Sequence, residues 1–188
     1  MPEIAVEPTR VAEWQALVRS AGEACETTLE EAVEAYVVFM LMRFAEHTGL
    51  GRSALALRWL EGMQAPDSRA GGERLRATGD ECLLICGLFP QRVRRRAVPF
   101  SYYVDLGRGA YHTLARSDRG GAAPWGALAR GFVGLMEVLQ AMRAGAPDAG
   151  LELDEAAALA RQTGSRRAWD NAAPANVTLL DPGGLRRD

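Results

Sequence analysis

Residues 79–115, GDECLLICGLFPQRVRRRAVPFSYYVDLGRGAYHTLA, decide the fold of this chain. The run Cys82-Leu83-Leu84-Ile85-Cys86 is continuous enough for a buried strand, but no other segment alternates apolar and polar residues to pair with it. A buried helix is therefore expected. Pro90 has no backbone donor and disfavours helix at Phe89, so the apolar run must stop there. Arg92, Arg94, Arg95 and Arg96 then emerge together. Ser101 is expected to cap the next helix, through Tyr102, Tyr103, Leu106, Tyr111 and Leu114. Gly107 and Gly109 each weaken that helix by up to about 1 kcal/mol relative to alanine, which implies that another backbone or a ligand comes close.

Working outward, the same helical period recurs on both sides. Val11, Trp14, Leu17 and Val18 make a short stripe over 11–20. Thr28-Leu29-Glu30-Glu31 fits a capping box for a helix running to about Thr48, with Val33, Tyr36, Val37, Met40, Leu41 and Phe44 inward and Gly49 as its stop. His47 at its end reads as a cap favoured by the helix dipole. Ser53 is expected to cap a shorter helix carrying Leu55, Leu57, Trp59, Leu60 and Met63. Residues 65–72 read as a loop, with helix from about Glu73. Pro124 suits the first turn of a long helix, where Trp125, Leu128, Phe132, Leu135, Leu139 and Met142 form a seam. Gly131 and Gly134 on it would permit close helix contact. A last helix is expected over about 154–163, stopped by Gly164, followed by a helical turn at 165–169 that docks Trp169. The expected fold is all-α: one domain over residues 1–170, a bundle of about six or seven helices, with 171–188 a loosely ordered tail.

Composition narrows the function classes. The chain has 188 residues, 48% of them hydrophobic, enough for one full core. Every basic residue is arginine, which excludes a catalytic Schiff-base or phosphate-loop lysine. The net charge is -2, yet it is unevenly spread: five arginines face eleven acids in residues 1–68, and eleven face five in 69–130. Three cysteines, Cys25, Cys82 and Cys86, give no disulfide framework. With no hydrophobic leader or membrane-length run in the sequence, a cytoplasmic protein without membrane contact is expected.

No motif brings chemistry with it. Cys82 and Cys86 share a helical face, with Asp105 and His112 as further candidate ligands, but the spacing is not that of a zinc site; neither a metal nor another cofactor is expected. Asp80, Glu81 and Asp105 are acid–base candidates whose simpler role is ion pairing, with Asp80 to Arg94 or Arg95 the favoured pair. Residues 153–169 have the alanine and turn glycine of a helix-turn-helix at Ala160 and Gly164, but Asp170, Asn171 and Pro174 spoil the second helix.

The GDxCLLxxGLFPxRxxRR-like core at 79–96, the following helix with Gly107 and Tyr111, and Arg-Gln-Thr-Gly-Ser-Arg-Arg-Ala at 161–168 resemble a bacterial protein family. The resemblance implies a bacterial source and brings no activity, cofactor or catalytic residue. The leading expectation is a non-catalytic interaction or regulatory protein, expected to form a homodimer through the 125–142 seam. A second is a small-anion-binding protein or enzyme with a pocket between Arg92, Arg94, Arg95, Arg96 and Tyr102, Tyr103, Gly107, Gly109, Tyr111. A third is a weak nucleic-acid binder, since four clustered arginines on an acidic protein neutralise few phosphates.

Overall fold

The computed structural model describes residues 8–46, 54–94, 98–117, 123–143, 156–158, 160–161 and 164–170. Its main elements are α1 (Pro8–Ala24), α2 (Glu31–Glu46), α3 (Leu55–Gln64), α4 (Arg69–Leu88), α5 (Gln91–Arg94), α6 (Phe100–Ser117) and α7 (Trp125–Met142). Shorter helical pieces follow at 156–158, 160–161 and 166–170, and there is no strand among the described residues. The fold is all-α and single-domain. The Cys82–Cys86 run is buried in α4, which packs against α3, α6 and α7. In turn α7 is covered by α1, α4 and α6, and α2 lies on α1.

Helix ends follow local chemistry, with corrections to the sequence expectations. α1 ends in a Schellman turn: Thr27 N donates to Gly22 O at 2.9 Å and Glu26 N to Glu23 O at 3.0 Å. Glu26 takes the left-handed position at φ 52°. That turn leaves only a short extended link, so α2 starts at Glu31 and the Glu30 carbonyl accepts its first amides; the Thr28 capping box does not form. Ser68 Oγ accepts from Gly71 N at 3.0 Å, which starts α4 at Arg69 instead of Glu73. Gly71 is required there, because a side chain would collide with the Ala65 carbonyl. Ser101 lies inside α6, which starts one residue earlier at Phe100. Ser53, His47 and Gly49 lie outside the described residues.

The 125–142 seam is spent inside the molecule. Leu128, Phe132, Leu135 and Leu139 are buried in the core, and Trp125 and Met142 are packed partly buried against it. The glycine notches also sit elsewhere. A Cβ at Gly131 would meet nothing within 4 Å, and one at Gly134 only Thr27 at 3.5 Å. The close approaches are at Gly79, where a Cβ would stand 2.6 Å from the Tyr111 ring, at Gly107, 2.6 Å from Phe132, and at Gly87, against Leu139. These three positions let α4, α6 and α7 approach backbone to side chain.

At the C-terminal end Gly164, at φ 71°, stops the preceding turn with its amide on Ala160 O at 2.9 Å. Ser165 Oγ accepts from Ala168 N and donates to Glu137 Oε1. Ala168 is the residue that docks; Trp169 stays half-exposed, because the cap turns the opposite side of this piece inward. The tail at 171–188 lies outside the described residues.

Candidate functional site

Asp80 is the polar centre of the bundle. Its Oδ1 accepts from Tyr36 Oη at 2.5 Å and Tyr111 Oη at 2.8 Å, and its Oδ2 accepts from Arg43 Nη2 at 3.1 Å. Three helices are thereby joined at one carboxylate. Around it Tyr111 stacks on Trp125, and Tyr36 meets Trp125 edge-on. Burial pushes the Asp80 carboxyl above its usual range, against the pull of both phenols, Arg43 and Arg76. The same burial raises the Tyr36 and Tyr111 hydroxyls, and the neighbouring carboxylate adds to it. Asp80 thus takes a cation from α2, Arg43. Arg95 and the Arg94 side chain lie outside the described residues. Glu81, one residue on, is held by Arg58 Nη1 at 2.7 Å.

The other described residues singled out from the sequence are dispersed. Arg92 lies over the Phe89 ring, 5.1 Å from its centroid. Arg96 is outside the described residues. Tyr103 is buried, with Tyr102 edge-on to it and half-buried. Gly107 and Tyr111 face the core, whereas Gly109 faces outward on the same helix. Cys82 and Cys86 are buried and their thiols pushed well up by desolvation, while Asp105 and His112 stand on the surface. No group of three metal-ligating side chains occurs among the described residues.

A different surface stands out. α3 packs on α4 through Leu55 and Gly62, with a Cβ at Gly62 only 2.8 Å from Leu75. Its other side presents Leu57, Leu60 and Met63, which are 57%, 52% and 39% exposed. Spacings of three place them on one face about 120° wide. The ridge ends at α6, where Thr113 Oγ1 lies 3.4 Å from Met63 Sδ. Beyond it a groove of about 530 Å³ runs between α6 and α7, lined by Asp105, Arg108, Gly109, His112 and Arg130. Ridge and groove meet at Gly109, whose missing Cβ would lie 4.0 Å from Trp59 Nε1 of α3.

No family model matches the chain, and no curated protein and no solved structure matches it.

The ridge had a readable signal. Leu55, Leu57, Trp59, Leu60 and Met63 are too many apolar residues for one face of a ten-residue helix, so some must point away from the core. Arg108, Arg116 and Arg130 had none, since each is an ordinary exposed arginine until α6 and α7 are packed side by side.

Proposed function

We propose that this is a non-catalytic interaction or regulatory protein that binds a protein partner across α3 and the outer sides of α6 and α7. The exposed Leu57, Leu60 and Met63 ridge carries the reading. Scattered exposed leucines are ordinary, but three in line on a helix whose opposite side is already packed keep apolar surface in water for no structural return. The chemistry-bearing groups support the same reading. Asp80, Tyr36 and Tyr111 satisfy one another, and Cys82 and Cys86 are closed inside the core. A small anion in the α6–α7 groove is the second reading, favoured by Arg108 and Arg130 along its walls.

The test is photo-crosslinking in the source cells, with a photoreactive residue at position 60 and a control at exposed Glu13 on α1. A discrete adduct from position 60, absent from position 13 and lost in Leu57→Ser/Met63→Ser, supports the reading. The same adduct pattern from both positions sinks it.

A further inference from the structure

Arg10, Arg19, Arg43, Arg58, Arg69 and Arg74 each hold a carboxylate within 4 Å. Arg108, Arg116 and Arg130 hold none among the described residues, and all three are exposed on the side of the molecule where the α3 ridge ends. The order along this face is continuous. Leu57, Leu60 and Met63 lead to Thr113 and Gly109; Arg116 is one turn beyond Thr113, and Arg108 and Arg130 border the groove. Asp105 is the single acid lining that groove. Apolar ridge and guanidinium strip therefore lie side by side.

We propose that this face binds an acidic amphipathic helix of a partner protein, a claim that rests on the interaction reading above. The helix would seat its apolar side on Leu57, Leu60 and Met63 and bring its carboxylates to Arg108, Arg116 and Arg130. The chemistry selects this occupant. Guanidinium forks pair with carboxylates bidentately, and a helix with one apolar stripe and acidic flanks offers both groups in the same register. A second copy of the chain fits poorly, because two-fold pairing would set the arginine strip against itself. Three exposed apolar side chains also fall well below the roughly 800 Å² per partner of a standard stable interface, whereas a single helix needs only a few anchors. A nucleic acid would use the arginines and leave the ridge idle.

The experiment uses the full chain and two synthetic helical peptides with the same leucine stripe, one flanked by glutamate and the other by lysine. Binding is followed by fluorescence anisotropy at low and physiological salt, with melting curves for every variant. The glutamate peptide should bind at least about tenfold tighter than the lysine peptide, and the gap should narrow with salt. Arg108→Glu/Arg130→Glu should reverse the preference, while Leu57→Ser/Leu60→Ser should weaken both peptides with the melt unchanged. If charge reversal unfolds the protein, Arg108→Gln/Arg130→Gln should still erase the preference. Equal binding of both peptides, still dependent on Leu60, overturns the acidic partner and leaves the interaction reading standing. Arginine-dependent retention of duplex DNA with no peptide binding overturns it in favour of nucleic acid. Inorganic phosphate competing the peptide away completely reduces it to a small-anion site, and Leu60-dependent self-association in sedimentation assigns the face to a second copy. If position 60 also yields no crosslink, both readings fall.

Discussion

Gln140 Nε2 donates to the Cys86 carbonyl at 3.1 Å, across the α4–α7 contact. In a continuing helix that carbonyl would accept from residue 90, but Pro90 has no amide hydrogen. The proline that ends α4 therefore creates a buried acceptor, and a buried glutamine on the facing helix satisfies it. Gln140→Leu keeps the bulk and removes the donor. It should cost about 1–3 kcal/mol, the range for stranding a buried polar group, and chemical denaturation will measure it. An unchanged midpoint would mean that the Cys86 carbonyl finds another donor.

Asp80 makes stability depend on pH with a definite sign. Burial raises its folded pKa above the ordinary carboxylate value of about 4. The native state then holds the proton at pH values where the unfolded chain has lost it. Its contribution is greatest below about pH 4 and falls away as pH rises through the folded pKa. Asp80→Asn cannot ionise and keeps an oxygen for Tyr36 and Tyr111. The difference in stability between variant and wild type, plotted against pH, should thus shift in the variant's favour as pH rises from 4. A flat difference curve refutes the assignment.

Gly107 and Gly109 are two residues apart on α6 and should respond oppositely to alanine. At Gly107 the new methyl would stand 2.6 Å from the Phe132 ring and 2.8 Å from Cys82 Cβ. Overpacking there should cost about 1–3 kcal/mol. At Gly109 the nearest atom is Trp59 Nε1 at 4.0 Å, so the helix should gain about 0.5–1 kcal/mol. Thermal melts of the two single variants decide it, and equal shifts of the same sign would contradict the packing of α6.

Glu26 occupies the left-handed position of the α1 Schellman turn, where glycine has no side-chain penalty. Glu26→Gly should raise stability by about 1 kcal/mol. It also removes an ion pair with Arg166 whose two side chains are largely exposed, and such a pair contributes little. A lower melting temperature would show that this contact anchors the 166–170 piece.

Much of the fold was legible along the chain because it rests on local chemistry. The period of apolar residues marks α2, α6 and α7, Pro90 ends α4, Pro124 precedes α7, and Gly164 stops its turn in the left-handed conformation. Misplaced boundaries have local causes too: Ser68 competes with Glu73 to start α4, and the Glu30 carbonyl takes the first amides of α2 in place of a Thr28 box. Tertiary structure decided the rest. That Asp80 pairs with Arg43 depends on how α2 lies against α4, which no spacing encodes. That Gly107 is a tight contact and Gly109 leaves room for a methyl depends on which face of α6 meets α7. The ridge and its neighbouring arginines come from three separate helices and become one face only when those helices pack. Helix ends and apolar period are set by interactions a few residues apart, and the sequence carries them directly. A binding face is set by the relative placement of distant segments, and only the packed core fixes that.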